Sequence, residues 1–479
     1  MDTNGSSTLL FFDDWYLHRR ENLVRHVGRP QLVTEGIFID PHLDPSWGYP
    51  TVFVDANTGR WRCLYQGQLD SQYTRQGRRM QHVAVAVESD DGIRWEIEDL
   101  SDKIQIPDRA CSHQVLPLEG FGEWGPCFFD AHTDNPAERI KAFVSFSGSQ
   151  GHSPLYVSPD GLSWKLIEDA RWHPFGIDPA VSGFWNPIRG NYVIAARPKG
   201  GDRRISVYET KDWRTFSHPE VAIRTDAQDT PAAEVYGMPV FPYESIFVGF
   251  LWIYQVSPIV DSPNKYIHGK VRCQLAYSYN GLHFQRALRE PFLPNAEPGE
   301  FGYGCIYPSS MVITEDKKIR IYSSASKGEH AQIHARPDLG EGAILTHELR
   351  LDGFSYFEPQ GGPGSFTTRL FFFHGEKLTL NVQVPQGEVR VQITDPDGKP
   401  HPGYTFEDCI PFTGDGLFWE PKWKNHPSVS EFMEKVVRLE VKLFNGRIYS
   451  IRGNFFPIRS GDYRRFKDQG IPPNPMYEE

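Results

Sequence analysis

Long apolar runs are missing from this 479-residue chain: nothing approaches the ~18–20 residues that a membrane-spanning helix needs. The start, Met1-Asp2-Thr3-Asn4-Gly5, lacks the charged segment and apolar core of a secretory leader. The chain therefore reads as cytoplasmic, or as a protein whose leader is not part of this sequence. Paired cysteines are missing too. The six thiols, at 63, 111, 127, 273, 305 and 409, include no CxxC pair, which disfavours zinc and leaves small buried or half-buried side chains. No metal and no cofactor is expected. Basic charge is scarce: 50 Lys and Arg against 61 Asp and Glu give a net charge of −11. Doublets such as Arg19-Arg20 and Arg203-Arg204 are too short to build a nucleic-acid surface. Charged residues make up only 23%, whereas 43 glycines, 38 prolines and 14% aromatics suit many short strands joined by turns.

What is present is a repeat. Ser89-Asp90-Asp91-Gly92-Ile93-Arg94-Trp95 returns as Ser158–Trp164, in degraded form as Thr210–Phe216, again as Ser278–Phe284, and last as Arg350–Tyr356. The copies are spaced by roughly 50–70 residues, which signals a radially repeated sheet. Four short strands fit between one copy and the next. In the first unit they are Thr51–Val54, Trp61–Gln66, His82–Val87 and Arg94–Ile97; in the fifth, Ser310–Thr314, Ile319–Ser323, Ala343–Glu348 and Phe354–Phe357. Four-stranded sheets around an axis make a propeller, here of five blades. In each turn the Ser or Thr and the Asp or Asn can bond nearby backbone, Gly supplies permissive dihedrals and the aromatic seals the core. These acidic residues are expected to hold blades together and do no chemistry.

The expected organisation is all-β, a five-bladed β-propeller followed by a C-terminal antiparallel β-sandwich. Residues 1–45 form a segment packing on the propeller, 46–357 the propeller, 358–455 the sandwich and 456–479 a tail. Gly361-Gly362-Pro363-Gly364 marks the linker. Beyond it Leu378–Val384, Val389–Thr394, Val436–Leu443 and Ile448–Arg452 alternate as half-buried strands.

The first strands of propeller blades line the central channel, and that geometry sorts the acidic residues. Asp44, Glu123, Asp178, Glu234 and Glu300 lead into the five first strands. At ends of second strands or starts of third ones come Gln66, Ser147, Arg197, Arg203, Arg204, Tyr254 and His330. Aromatics fall nearby: Trp47, Tyr49, Trp124, Phe175, Tyr236, Tyr303 and Tyr307. Converging carboxylates on an aromatic funnel suit glycosidic bond cleavage, in which one group protonates the leaving oxygen and another acts as base or nucleophile. Mutual repulsion and burial can hold one proton near neutral pH. Aromatic faces suit sugar rings, and Arg can fork to hydroxyls or a sugar carboxylate.

Asp178-Pro179-Ala180-Val181 followed by Gly190-Asn191-Tyr192 resembles a blade opening of the five-bladed glycosidases, glycoside hydrolase families 43, 32 and 68. Glu234-Val235-Tyr236-Gly237, followed by Ile246–Phe250, resembles their acid-bearing blade. The chain is also similar to bacterial proteins distantly related to these hydrolases that carry a β-sandwich after the propeller. The resemblance implies that Glu234 donates the proton and that Asp178 orients. Two departures stand out. Neither a WxNDPNG-like nucleophile motif nor an Arg-Asp-Pro triplet occurs, which argues against an invertase. The Asp178 and Glu234 blades count as third and fourth, whereas the family's acids come from the first three. The base or nucleophile is therefore left between Asp44 and Glu123.

Other constellations are weaker. Cys111-Ser112-His113 offers a thiol–imidazole pair, but neighbours in a loop rarely face each other. His42, His113, His330 and His334 match no metal-ligand spacing. Arg197, Arg203 and Arg204 imitate part of a sialidase arginine triad, but sialidases have six blades. The expectation is a glycoside hydrolase acting exo-fashion on a furanoside or modified terminal sugar. Arg197, Trp47, Trp124, Tyr236, Glu300, Tyr303 and His330 would hold this carbohydrate substrate. No nucleic acid or membrane partner is expected, and a homo-oligomer stays open. A glycan lyase or phosphorylase on the same scaffold, or a non-catalytic glycan-binding propeller, are the alternatives.

Overall fold

The computed structural model describes residues 7–69, 81–117, 123–145, 154–168, 170, 175–176, 181–198, 203–261, 266–330 and 341–473. The chain divides into two compact units, 30–242 with 246–350, and 1–29 with 243–245 and 351–479. Among the described residues no helix is long and apolar enough to cross a membrane.

Four strands open the chain: β1 (Ser7–Leu10), β2 (Leu17–Glu21), β3 (Leu23–Val27) and β4 (Gln31–Phe38). Blade one follows as β5 (Thr51–Val54), β6 (Trp61–Leu69), β7 (Gln81–Ser89) and β8 (Gln114–Pro117), paired in that order. Blade two has a split inner strand, β9 (Glu123–Trp124) and β10 (Phe128–Phe129), then β11 (Ile140–Ser145), β12 (Leu155–Ser158) and β13 (Lys165–Leu166). Blade three repeats this with β14 (Phe175–Gly176), β15 (Ser182–Asn186), β16 (Asn191–Pro198), β17 (Ile205–Thr210) and β18 (Glu220–Ile223). Blade four has β19 (Ala233–Gly237), β20 (Val240–Tyr243), β21 (Ile246–Asp261), β22 (Tyr266–Ser278) and β23 (Gln285–Leu293). Blade five is β24 (Cys305–Ile313), β25 (Lys318–Ser326) and β26 (Gly342–Arg350), and its outer strand is β4.

This is a five-bladed propeller, and the cores between blades give its order. Phe53, Leu64 and Ala84 of blade one pack with Trp124, Ile140 and Val144 of blade two. Phe143 and Val157 pack with Tyr192 and Ile194, Phe184 and Val193 with Val235 and Leu251, and Tyr322 and Ile344 with Cys63 and Val85. Burying such side chains is worth roughly 1.5–3 kcal/mol each, which makes the blade interfaces the main source of stability.

Four copies of the repeated turn lie between the third strand of a blade and the segment after it. In the second, Ser158 Oγ accepts from Asp160 N at 3.3 Å and Gly161 N at 2.8 Å, while Asp160 Oδ1 accepts from Leu162 N at 2.8 Å and Ser163 N at 2.9 Å. Asp91, Asp212 and Asn280 make the same bonds in their own copies. The fourth residue has positive φ, at Gly92, Gly161 and Gly281, and at Trp213 in the degraded copy. These turns also bond across blades. Tyr322 OH donates to Gly92 O at 2.9 Å, Arg62 Nη1 to Asp160 O at 2.5 Å and Asn186 Nδ2 to Asn280 O at 2.8 Å. Arg62 is buried and paired with Asp55 at 2.9 Å and Glu88 at 2.5 Å, so the cross-blade bond comes from a fixed guanidinium.

Two strand expectations are corrected. Arg94–Ile97 contributes only the bridge of Glu96 to Glu88, and the fourth strand of blade one is β8, reached after a loop through 98–113. Phe354–Phe357 is not the outer strand of blade five. That position is taken by β4, with Ile344 opposite Phe38 and His347 opposite Leu32.

The other unit is the β-sandwich. It contains β27 (Ser355–Pro359), β28 (Gly364–Thr368), β29 (Phe371–Thr394), β30 (Phe412–Trp419), β31 (Val436–Phe444), β32 (Arg447–Pro457) and helix α1 (Ser460–Gln469). The strand order is β2-β28-β31-β29-β32-β27-β3, with β1 beside β32 and β30 beside β29. Pairing is antiparallel except between β29 and β31. The unit boundaries thus fall at 29/30 and 350/351 rather than 45/46 and 357/358, because β1–β3 pair with β32, β28 and β27. The expected tail from 456 begins inside β32 and continues into α1. The fifth turn copy belongs here as well. Arg350 replaces the Ser or Thr, and Asp352, at φ 60°, is buried. Its carboxylate accepts from Tyr243 OH at 2.6 Å, Ser450 Oγ at 2.5 Å and Arg452 Nη2 at 2.5 Å.

Candidate active site

On β19 alternate residues face opposite ways, so Val235 enters the core between blades while Glu234 and its neighbour two residues on, Tyr236, point away from it. Glu234 pairs in register with Tyr254 on β21 and forms an ion pair with Arg203. The Arg203 guanidinium lies 5.1 Å from the Tyr254 ring centre and 6.0 Å from that of Tyr236. Burial opposes its charge, but the bond to Glu234 more than offsets this and holds its pKa above the ordinary value. Arg197, at the end of β16, stands 4.7 Å over the Tyr236 ring and donates to Tyr236 O at 3.1 and 2.7 Å. Such cation–π contacts strengthen when water is excluded.

His330 closes the group from blade five. Its Nε2 lies 2.8 Å from Tyr236 OH, its Nδ1 is 3.4 Å from Tyr254 OH, and its backbone N–H donates to Gly269 O at 2.8 Å. Gly269 is required there, because a Cβ would sit 2.3 Å from Gln255 O. Trp47 is 5.6 Å from the His330 ring. Below them Tyr49 stacks on Trp252 at 5.5 Å, and Tyr307 meets both rings edge-on. Burial pushes the Tyr254 and Tyr307 phenols well up, so both keep their protons. The result is a buried aromatic floor carrying four half-buried polar groups, Glu234, Arg197, Arg203 and His330. A carboxyl and three potential cations on flat aromatic faces can bind and protonate a polar, ring-shaped ligand.

Asp44 lies in the segment between β4 and β5, bridged to Gln68 through backbone bonds of 3.0 and 2.9 Å. Its Oδ1 accepts from Ser46 N at 2.9 Å and Ser46 Oγ at 2.6 Å. Burial pushes the carboxyl up to about 6, against the Ser46 bonds and with help from the charge on Glu341. Gly342 makes this packing possible, since a Cβ there would lie 2.3 Å from Asp44 Oδ1.

Of the remaining candidates, Glu123 is placed by its backbone alone, opposite Ser145. Asp178 lies outside the described residues, as do Ser147 and His334. Trp124 is corrected: it is fully buried, 4.9 Å from Trp164, with its backbone N–H donating to Gln66 Oε1 at 2.7 Å, so it seals two blades and offers no face to a sugar. Gln66 also reaches Trp47 O at 3.4 Å and serves as a strut. Glu300 is exposed on the turn before β24, and Tyr303 is capped by Lys270 Nζ 3.5 Å from its ring centre. Sequence reasoning missed Trp252, although the alternation Phe250-Trp252-Tyr254 places it on one face with Tyr254. Among the described residues no group of three His, Cys, Asp or Glu could hold a metal ion.

No protein-family model matches the chain, and no curated protein does. Among solved structures it is similar to the β-1,2-mannobiose phosphorylase from Listeria innocua, at 12% identity, 70% of this chain, 98% of that one and a TM-score of 0.44. It is also similar to a fructofuranosidase from Schwanniomyces occidentalis, at 10% identity, 89% and 97% coverage and a TM-score of 0.42. A third is a thermostable family-43 glycoside hydrolase, at 14% identity, 72% and 96% coverage and a TM-score of 0.39.

Proposed function

We propose that this chain is a glycan-active enzyme, a glycoside hydrolase that removes a furanoside or modified sugar from the end of a polysaccharide or oligosaccharide. The observation that carries this reading is the half-buried Glu234 carboxyl, set among Arg203, Tyr236, Tyr254 and His330 on the inner strand of a blade. In this reading Glu234 protonates the leaving oxygen, which requires its bond to Arg203 to be given up as substrate enters. Asp44 is the base or nucleophile. A carboxyl pushed up to about 6 is charged above that pH and still basic enough to take a proton from water. Glu123 is the alternative base, and Asp178 orients the sugar. An inverting enzyme would hold acid and base ~6.5–9.5 Å apart and a retaining one ~5–5.5 Å.

A second reading, phosphorolysis, is favoured by Arg197, Arg203 and His330 standing together at the mouth, since phosphate needs several donors. The test is sugar release from a panel of furanosides, fructans, mannosides and uronate-containing glycans, with and without inorganic phosphate. Free sugar released without phosphate supports hydrolysis, and sugar 1-phosphate formed only with phosphate supports the second reading. Glycan binding with no release in either condition would leave a binding module and overturn both.

A further inference from the structure

On β16 alternate residues share a face, so Val193, Ala195 and Arg197 all look towards blade four. The first two enter the core with Val235 and Leu251, and the third, at the strand end, reaches Tyr236. Its cross-strand partner, Gly176, brings no side chain of its own. Nε and Nη2 of Arg197 both donate to Tyr236 O, which occupies one edge of the planar guanidinium and fixes its direction. Nη1 donates to no group among the described residues, and no carboxylate there pairs with Arg197. The outer edge, the Nη1–Nη2 fork, therefore remains to be filled. That fork has the shape that takes a carboxylate through two parallel hydrogen bonds.

The balance of charge points the same way. The guanidiniums of Arg197 and Arg203 lie 4.7 and 6.0 Å from the centre of one buried ring, Tyr236. Among the described residues the carboxylate bonded to this pair is Glu234, and it bonds Arg203 alone. Two like charges beside a buried ring repel each other, and Glu234 neutralises one of them. The chain as a whole carries a net charge of −11, so an unmatched cation at a half-buried mouth runs against its background. We propose that Arg197 selects the sugar this site takes: a terminal uronic acid, whose carboxylate lies across the Nη1–Nη2 fork beside the Tyr236 ring. This deepens the proposed function, on which it rests, by naming a substrate class. A carboxylate suits the position better than phosphate does. It needs one planar fork, whereas phosphate would draw on Arg203 as well, and Arg203 is held by Glu234.

The test is calorimetric binding to the full chain of D-galacturonate and D-glucuronate, their methyl esters, and inorganic phosphate. The ester keeps the size of the acid and removes its charge. One of the two acids should bind about tenfold more tightly than its ester, the usual worth of a charge-assisted hydrogen bond, and sodium chloride should weaken the acid alone. Arg197→Met should bring the ratio of acid to ester close to one. Arg197→Lys keeps the charge without the fork and should retain only a small part of the preference. Should neither variant fold, the ratio in the wild type still decides. Acid and ester binding alike, a preference that survives Arg197→Met, or phosphate binding more tightly than either acid would overturn the proposal. Turnover separates it from the function on which it rests. An acid preference with no glycoside cleaved supports the anion site and removes the enzyme. Cleavage confined to neutral sugars keeps the enzyme and overturns the anion site.

Discussion

In the turn at Ser158–Trp164 the acidic side chain closes on its own backbone, through the N–H groups of Leu162 and Ser163. In the turn at Arg350–Tyr356 the corresponding carboxylate closes on Tyr243, Ser450 and Arg452, and it is buried. The first arrangement is local and half exposed, so its loss frees groups that water can satisfy. The second takes a charge out of water and depends on distant partners to offset that cost. The same motif therefore marks a blade turn four times and an anchor of the sandwich once. The difference is carried by one residue: without a Ser or Thr at Arg350 the turn has no hydroxyl to receive the two N–H groups.

The comparison can be broken or sharpened by substitution. Glu234→Gln should lower turnover by about 10²–10⁴-fold, the usual contribution of a general acid, while Asp91→Ala leaves turnover unchanged. Equal losses in both would merge turn and mouth carboxyls into one class. Asp352→Ala should cost about 3 kcal/mol in urea unfolding, because Tyr243, Ser450 and Arg452 all lose their buried acceptor and Arg452 keeps only Glu244 as a carboxylate partner. Asp44 tests burial in a third setting. Its folded pKa of about 6 exceeds the ordinary 3.8, so the folded state binds the extra proton and stability falls as pH rises between those values. Asp44→Asn should remove that slope and stabilise the fold by about 3 kcal/mol above pH 6. Asp160→Ala should cost only about 1 kcal/mol, the value of a local side-chain cap. A loss as large as that of Asp352→Ala would show that the side chain's local bonds also hold the turn in the shape that presents Asp160 O to Arg62.

The parts of this molecule legible in the sequence were the local ones. Ser89-Asp90-Asp91-Gly92 gives its own turn away, because the bonds that shape it, from the N–H groups of Gly92, Ile93 and Arg94, lie within six residues. The outer strand of blade five was not legible. Gln31–Phe38 pairs with Gly342–Arg350, some three hundred residues on, and no local pattern names such a partner. The candidate site divides in the same way. Glu234, Tyr236 and Tyr254 follow from strand alternation, and His330 from its place after a second strand. Trp124 does not, because a tryptophan that seals two blades and one that faces a ligand occupy neighbouring positions in the repeat. The buried bond between His113 and Asp40 was not legible either, because Asp40 comes from another part of the chain.

The pairing of β4 with β26 also sets a timetable. During synthesis the segment 31–38 leaves the ribosome early, and its partner at 342–350 follows only after most of the propeller has been made. At ~5–20 residues per second that delay is on the order of 15–60 seconds. Throughout it β4 is a strand without a neighbour and blade five does not exist. The nascent protein must keep an open edge from meeting the wrong strand for longer than most small domains take to fold.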